Sequence, residues 1–294
     1  MHALKVVGSV FLGLLVLALL WGVAIEPRFL LDREEYEAPI PALPAAWDGA
    51  RVALLADFQV GMWWDNTGMV QKAIQDAADA GPALALIAGD FVYKPDSATI
   101  REAVGYVRAL PAAGVPTVAV LGNHDYSLMK DESEVRSGLA TFLTEELEAA
   151  GVTVLRNEAT SFEREGAALW VAGVDSEWAE QARPGAALAG VPDGAPRVVF
   201  MHNPVAFRDL PADAAPLALA AHTHAGQVRL PGTPRNNWLD IARDREVVAD
   251  GWAADTIGAA GNRLYVNRGI GFSIVPVRIF TRPELTLLTL RAAD

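Results

Sequence analysis

The feature that most constrains the fold is a series of short apolar runs that each stop at a polar residue. The clearest is Val118–Tyr126, VAVLGNHDY, in which small and β-branched residues lead to Gly122 and then to Asn123, His124 and Asp125. Such a run is typical of a parallel strand buried on both faces, and the glycine allows a sharp turn. Open α/β sheets bind ligands just beyond such strand ends. Taken alone, the stretch could equally be a turn whose Asn and Asp bond their own backbone.

The first half of the chain alternates strand and helix patterns. RVALLA (51–56), LALIAG (84–89) and TVAVLG (117–122) indicate buried strands, and helices are predicted over 66–80, 97–110 (with Ser97 as N-cap) and 133–150. Beyond Gly151 the strand patterns are denser: VTVLRN, ALWVAGVD, RVVFMH, LALAAH, LYVNRG and ELTLLTL. This order predicts an α/β fold of two packed mixed β-sheets flanked by helices.

Composition excludes several functions. A formal net charge of −12 without any Lys/Arg cluster argues against binding to a nucleic-acid backbone. The chain has no cysteine, which removes disulfides, thiolate ligands and a cysteine nucleophile. No repeat of fixed period interrupts the 294 residues, so one main domain is the economical interpretation.

The N-terminal segment Val6–Ile25 has no charged residue and lies between Lys5 and Glu26. About twenty apolar residues match a helix that crosses the hydrocarbon core. A cleaved signal peptide, with a small-x-small site at 22–24, and a buried core helix are the alternatives. We favour a retained anchor because the apolar region of a signal peptide is usually about 7–15 residues long. Lys5 and the amino terminus favour a cytoplasmic N-terminus and an extracytoplasmic main domain, whereas Arg28 and Arg33 on the other side of the segment oppose that orientation.

Side chains able to bind metal collect at the ends of five apolar runs. They are Asp57 and Gln59, Asp90, Asn123 and His124, His202, and His222 and His224. Carboxylate, carboxamide and imidazole groups without thiolate suit divalent Mn, Fe, Co, Ni or Zn. Seven or so ligands exceed the need of one ion, so two ions are expected. Two ions about 3.5–4 Å apart form the clamp used for in-line displacement at phosphorus.

The blocks D-x-Q, GD-xx-Y, GNHD, H and HTH follow in that order between Asp57 and His224. This series resembles the calcineurin-like metallophosphoesterase superfamily, whose usual pattern is D-x-H, GD-xx-D/Y, GNH-D/E, H and GH-x-H. The apolar N-terminus, AHTHAGQVRLP, and the closing LYVNRGIG and PVRIFTRPELTLLTL resemble its membrane-associated YkuE/YaeI-type branch. The resemblance implies a four-layer αββα metallophosphatase sandwich with an N-terminal transmembrane helix. It divides the chain into an anchor (1–26), an extended connector (27–48) and a catalytic domain (49–294).

The resemblance also implies a dimetal-dependent phosphoester hydrolase in which a hydroxide bridging two divalent ions attacks phosphorus. The first ion would be held by Asp57, Gln59, Asp90 and His224, and the second by Asp90, Asn123, His202 and His222. His124 would stabilise phosphoryl charge or protonate the leaving oxygen. Asp125 would orient His124 or a ligand.

Gln59 is the main departure, because the family usually has His there. A carboxamide oxygen is a harder and weaker ligand than imidazole, so we expect a looser first site that favours Mn or Fe over Zn. Ala221, in place of the usual Gly, is a small departure.

Several further residues have open roles. Tyr93 is expected to line the pocket rather than to bind metal, and Asp175 and Glu177 to contact only solvent rather than substrate. Four tryptophans near the predicted site could line an acyl or nucleobase pocket, rest on a bilayer interface or simply pack: Trp63, Trp64, Trp238 and Trp252.

Some relatives in this branch hydrolyse the pyrophosphate of UDP-2,3-diacylglucosamine in lipid A synthesis. A lipid-linked phosphodiester or diphosphate is therefore the expected substrate, with the membrane as partner and no nucleic acid. The alternatives are a non-catalytic scaffold with a phosphatase fold, for which Gln59 would be the first sign of decay, and a phosphatase of cell-wall or protein phosphoesters.

Overall fold

The structure, a computed structural model, describes residues 2–128, 135–230 and 248–293. The helices are α1 (His2–Leu20), α2 (Glu26–Phe29), α3 (Thr67–Asp79), α4 (Ser97–Val107), α5 (Ala109–Ala112), α6 (Ser137–Ala149) and α7 (Pro184–Leu188). The strands are β1 (Asp32–Pro41), β2 (Arg51–Leu55), β3 (Leu84–Ala88), β4 (Thr117–Val120), β5 (Val152–Val154), β6 (Glu158–Arg164), β7 (Ala167–Val174), β8 (Arg197–Met201), β9 (Ala218–Ala220), β10 (Gly251–Trp252), β11 (Leu264–Val266) and β12 (Glu284–Ala293).

The strands form two six-stranded mixed sheets, in the orders β1-β12-β2-β3-β4-β5 and β10-β11-β9-β8-β7-β6. Within the first sheet β2 to β5 run parallel, and β12 pairs antiparallel with β2. Within the second sheet β7, β8, β9 and β11 run parallel, while β6 and β10 pair antiparallel at its edges. The predicted fold of two packed mixed sheets flanked by helices is confirmed.

The buried apolar strands divide their side chains between two faces. In β2, Ala53 and Leu55 pack under α3 and α4, whereas Val52 and Leu54 face the second sheet. In β8, Val198 and Phe200 face the first sheet, whereas Val199 and Met201 face the outer helical layer. Because side chains alternate along a strand, a continuous apolar run can fill two cores at once. The result is the four-layer order helix, sheet, sheet, helix.

Residues 27–48, expected to form an extended connector, contribute an edge strand to the first sheet. Strand β1 pairs parallel with β12, from Asp32 opposite Glu284 to Pro41 opposite Ala293. Its exposure alternates: Ala38 and Ile40 are buried in the core between the sheets, while residues 33, 35 and 37 are exposed. Prolines at 39 and 41 fit because an edge strand leaves one side of its backbone unpaired. The expected linker is thus part of the domain.

The structure corrects the predicted N-cap of the helix that begins at Ser97. Helix α4 is capped by Asp96 rather than by Ser97, because the Asp96 carboxylate accepts hydrogen bonds from the backbone N–H groups of Ala98 (2.9 Å) and Thr99 (2.8 Å). The predicted start of the next helix at Ser133 lies outside the described residues, as does Trp238.

The N-terminal helix continues through a π-turn at Trp21–Ile25 into α2, and its final turns are fastened to the domain. Lys5–Phe29 is long and apolar enough to cross a membrane, by length and composition. The buried carboxylate of Glu26 accepts hydrogen bonds from the backbone N–H groups of Phe280 (2.9 Å) and Thr281 (2.6 Å). The Gly22 carbonyl accepts another from the Arg278 backbone at 2.8 Å. The helix end is therefore docked rather than loosely tethered.

Candidate metal centre

The two sheets bring the predicted ligands to one edge of the sandwich. Asp57 and Gln59 follow β2, Asp90 follows β3, Asn123 follows β4, His202 follows β8, and His222 and His224 follow β9. Five of these seven residues have left-handed backbone conformations, with φ between 49° and 73°: Asp57, Gln59, Asp90, His222 and His224. Positive φ is strained for residues other than glycine and is concentrated at functional sites. The strand ends are therefore bent sharply where the ligands lie.

Two glycines allow the backbone to lie directly against the ligands. A Cβ at Gly122 would collide with the Asp90 carboxylate, and a Cβ at Gly269 (φ +68°) would collide with that of Asp57. Close approach of this kind is possible only without a side chain. Gly269 belongs to the LYVNRGIG block, and its contact with Asp57 was not predicted from the sequence.

Four potential ligand atoms converge around His202. Its Nδ1 lies 2.7 Å from the Ala88 carbonyl oxygen, which can only accept, so Nδ1 carries a proton in either charge state and Nε2 is the atom whose lone pair can bind a proton or a metal ion. Nε2 lies 3.2 Å from Asp90 Oδ2, 3.2 Å from Asn123 Oδ1 and 3.1 Å from His222 Nδ1. The Asn123 amide is oriented by its Nδ2, which donates to the Leu128 carbonyl at 2.9 Å. All four side chains are buried or partly buried.

This arrangement fits a cation. Oxygens of Asp90 and Asn123 and a nitrogen lone pair of His202 face one another, which is unfavourable unless a positive charge lies among them. The ligand-to-ligand distances of 3.1–3.2 Å also match the edge of about 3.0–3.4 Å that follows from metal–ligand distances of about 2.1 Å. Asp90, His202 and His222 thus form one candidate ligand group.

Asp57, Asp90 and His224 form a second candidate group, which shares Asp90 with the first. Both carboxylate oxygens of Asp57 and the Oε1 of Gln59 are buried, and no described residue gives them a hydrogen bond. Buried oxygens of this kind are costly unless something compensates them, and a divalent ion would do so. The Gln59 Nε2 donates to Asp90 Oδ2 at 2.7 Å. Gln59 therefore both orients the shared carboxylate and presents an unpaired oxygen.

The electrostatics of the metal-free centre follow from burial and close charges. Burial raises the pKa of Asp57 to about 7. Burial alone would raise the pKa of Asp90 as well, but the nearby His202 and His124 imidazoles lower it below its ordinary value. Burial opposes protonation of His202, yet the Asp90 carboxylate raises the pKa of that imidazole to about 9. The Asp90 carboxylate therefore favours either a proton on His202 or a cation at the same place.

His124 has a defined tautomer beside the centre. Its Nδ1 lies 2.7 Å from the Tyr93 carbonyl oxygen and so donates the proton, which leaves Nε2 as the atom that can exchange one. The ring stacks on that of Tyr93, with centroids 5.0 Å apart, and its backbone N–H donates to Asp90 Oδ1 at 2.9 Å. Tyr93 thus supports His124 rather than reaching a ligand position.

Asp125 is a positioning residue. Its buried carboxylate accepts hydrogen bonds from the backbone N–H groups of Asp90 (2.9 Å), Phe91 (2.9 Å), Val92 (3.3 Å) and Gly122 (2.8 Å). It therefore holds the turn that carries the shared ligand Asp90. Because these hydrogen bonds all go to the backbone around Asp90 and Gly122, the structure favours, of the two predicted roles, orientation of a candidate ligand.

Arg278 was not singled out from the sequence. It is fully buried, and its Nη2 lies 3.4 Å from His224 Nδ1 while the guanidinium donates to backbone carbonyls of Arg268, Gly271 and Thr281. Burial and the Arg278 charge lower the pKa of His224 well below its ordinary value. His224 is therefore neutral, which is the form that binds metal. In the sequence, only the position of Arg278 within the closing PVRIFTRP block indicated that this residue could matter.

The acidic residues and tryptophans whose roles were left open by the sequence differ in their burial and contacts. Asp175, expected to contact only solvent, is instead buried: it accepts from the Tyr126 hydroxyl at 2.8 Å and pairs with Arg156 at 3.0 Å, so its role is structural. Glu177 is half-buried. Trp252 packs against aromatic rings of the inter-sheet core, whereas Trp63 and Trp64 are 62% and 57% exposed.

The chain belongs to the calcineurin-like phosphoesterase family, whose model matches residues 50–226. It is 32% identical to Phosphodiesterase YaeI of Escherichia coli (strain K12) over 228 residues, which cover 76% of this chain and 75% of that protein. It is 24% identical to the uncharacterized metallophosphoesterase YkuE of Bacillus subtilis (strain 168) over 280 residues, covering 92% and 88%. A transmembrane protein with metallophosphoesterase domain from Danio rerio is 26% identical over 286 residues, covering 92% and 59%. The chain is a phosphoester hydrolase, and the predicted family and branch are confirmed.

Proposed function

We propose that this chain is a membrane-anchored dimetal phosphodiesterase or pyrophosphatase. The observation that carries the proposal is the pair of ligand groups that share Asp90. One shared carboxylate between two groups of buried ligands is the arrangement that a pair of adjacent ions requires, and a two-ion clamp suits displacement at phosphorus. The unpaired oxygens of Asp57 and Gln59 support the same interpretation.

The proposed roles follow from the contacts. The first ion would be held by Asp57, Gln59, Asp90 and His224, and the second by Asp90, Asn123, His202 and His222. When bound, the two ions would lower the pKa of water and neutralise phosphoryl charge. His124, with Nδ1 donated to the Tyr93 carbonyl, would use Nε2 to stabilise the phosphoryl oxygens or to protonate the leaving oxygen.

Mn or Fe would suit the first site better than Zn, because Gln59 contributes a hard carboxamide oxygen. Co and Ni are compatible with the remaining imidazole and carboxylate ligands. Gln59 does not break the ligand set, since its Oε1 remains buried and unpaired beside Asp90. This favours an enzyme over a non-catalytic scaffold.

The proposed substrate is a lipid-linked phosphodiester or diphosphate, with UDP-2,3-diacylglucosamine as a representative compound. The apolar span Lys5–Phe29, docked to the domain through Glu26 and Gly22, supports a membrane location. The placement of Lys5 supports an extracytoplasmic domain. Protease access to the domain in sealed vesicles would test that orientation, because protection in right-side-out vesicles would contradict it.

The central test is hydrolysis of bis(p-nitrophenyl) phosphate by the full chain loaded with Mn²⁺. We expect turnover in the wild type and its loss in Asp90→Asn. The matched control is Asp255→Asn at an exposed position, which should retain full activity. If a wild type carrying two ions per chain shows no turnover, the scaffold alternative is correct. Comparison of UDP-2,3-diacylglucosamine with phosphoprotein and cell-wall phosphoesters would then identify the substrate class.

A further inference from the structure

A group of exposed apolar side chains surrounds the docked end of the N-terminal helix. Beyond that helix, the described residues Trp64, Val228, Ile274, Val275 and Phe280 are 40–58% exposed, and we call these five the apolar rim. Most other large apolar side chains of the domain are buried. Outside the rim, the described residues of the domain include three further large apolar residues of comparable exposure: Trp63, which adjoins Trp64, Leu230, two positions after Val228, and Val135. The rim is therefore a local feature of one surface.

The rim is continuous with the helix end. Phe280 donates its backbone N–H to Glu26, and Val228 pairs with Ile279, against which Gly22 packs without room for a Cβ. Arg28, in the last turn of the helix, donates from its guanidinium to the Trp64 carbonyl at 2.8 Å, and the guanidinium lies 5.1 Å from the Trp64 ring centroid. Loops that carry the rim thus contact the last turns of the apolar span, where Trp21 and Ile25 are also exposed.

The rim also borders the metal centre. Gln227, directly after the turn His224–Gly226, donates its Nε2 to the Val275 carbonyl at 3.0 Å and accepts from the Ser273 backbone. Tyr93, which stacks on His124, lies close enough to the backbone of Ile274 to interact with it electrostatically. Val275 therefore contacts Gln227, which closes the turn that carries the candidate ligand His224, and Ile274 contacts Tyr93, whose ring stacks on His124.

Two rim residues are exposed at a conformational cost. Ile274 has φ 66° and Phe280 has φ 56°, and the left-handed region is particularly unfavourable for β-branched and bulky residues. Their side chains are 58% and 50% exposed, so packing within the domain does not compensate the strain. Asn would adopt these conformations more easily. Strain of this kind is consistent with side chains that act on something outside the domain.

We infer that the apolar rim inserts into the bilayer interface and holds the metal centre at the level of the lipid headgroups. The membrane is the occupant that fits, because the surface adjoins the end of an apolar span and contains aromatic residues of the type found at membrane interfaces. A phosphoester of an amphiphilic lipid would then reach the metal centre while its acyl chains remain in the bilayer. This inference rests on the proposed membrane anchor and on the proposed function.

Insertion can be measured without any turnover, because the natural chain has no cysteine. The full chain in phosphatidylcholine/phosphatidylglycerol nanodiscs would carry one spin label, at Ile274→Cys or Phe280→Cys. The control is Val135→Cys. We expect relaxation of the rim labels to be enhanced by oxygen and little affected by a water-soluble nickel chelate, with the reverse at residue 135. Rim labels as accessible to nickel as the control would overturn the inference. Exclusion of both reagents would also overturn it, since a protein contact would then cover the rim.

A second experiment tests the effect on substrate. The double variant Ile274→Asn/Phe280→Asn should lose at least about tenfold in hydrolysis of a long-chain lipid phosphodiester in vesicles, while hydrolysis of bis(p-nitrophenyl) phosphate stays within about twofold. Val135→Asn should leave both rates unchanged. Equal losses on the two substrates, or none on either, would overturn the inference. If labels insert but the wild type hydrolyses no phosphoester, the proposed function fails while rim insertion stands.

Discussion

Metal binding should displace a proton from His202. In the metal-free protein the Asp90 carboxylate, 3.2 Å from Nε2, raises the pKa of the His202 imidazole to about 9. Nδ1 already donates to the Ala88 carbonyl, so the additional proton is on Nε2, the atom that faces the other ligands. A metal ion and this proton cannot occupy that lone pair together. Metal affinity is therefore linked to pH.

The size of the effect follows from this competition. For each pH unit below the pKa, displacing the proton reduces the free energy of metal binding by about 1.4 kcal/mol, which weakens the affinity about tenfold. With a pKa of about 9, half of the His202 imidazole is already deprotonated at pH 9, so the site that contains His202 should bind about 50-fold more weakly at pH 7 than at pH 9. Below pH 7 the first site should weaken as well, because burial raises the pKa of Asp57 to about 7.

Calorimetric titration with Mn²⁺, in anaerobic buffers that differ in ionisation enthalpy, gives both the affinity and the number of protons released. At pH 7.5 we expect close to one proton per ion bound at the His202 site. Asp90→Asn should reduce proton release, since it removes the charge that raises the His202 pKa. An affinity that stays constant from pH 7 to 9, with heats independent of buffer, would refute the reasoning.

Four further outcomes are expected. Gln59→His should retain more metal during dialysis than the wild type, and equal loss from both proteins would contradict the ligand argument. Gly269→Ala should lower activity at least tenfold while circular dichroism stays unchanged, because its Cβ would displace the Asp57 carboxylate; full activity would show that this contact is not required. The folded-state pKa values of His202 and Asp57 lie above their unfolded values, so both groups lose their stabilising contribution as pH rises to 9. Bound metal replaces the protons, and Mn²⁺ should therefore raise the melting temperature more at pH 9 than at pH 6; the opposite order would contradict this sign. Glu26→Gln should broaden the distance distribution between spin labels on the helix and the domain, and an unchanged distribution would show that the carboxylate does not fasten the helix.

The convergence of the candidate metal ligands could be predicted because each is a chemically capable residue directly after an apolar run. Parallel strands place such ends at a common edge, so convergence follows from the topology. Asp90 and His202, for example, lie far apart in sequence. Asp90 follows β3, which belongs to the parallel part of the first sheet, and His202 follows β8, which belongs to the parallel part of the second sheet. The second role of Gln59, donating to Asp90, depends on an amide orientation that no sequence pattern determines.

Other parts of the structure depend on long-range docking. Arg278 and Gly269 lie in a stretch with little regular structure, and their contacts with His224 and Asp57 exist only once the strand ends have assembled. Strand β1 was missed for a different reason. Its prolines and glutamates are unfavourable in a central strand, and only the edge position beside β12 makes them acceptable.

The pairing of β1 with β12 has a consequence for biogenesis. Strand β1 directly follows the apolar helix, yet its neighbour in the sheet begins at Glu284, so the two segments meet only after the intervening chain has been synthesised. Contacts between such distant segments form slowly, because the intervening chain must be ordered first. A translocon would therefore receive the helix while β1 is still unpaired. Until β12 is synthesised, β1 is an unpaired strand, and an unpaired edge can pair with other chains.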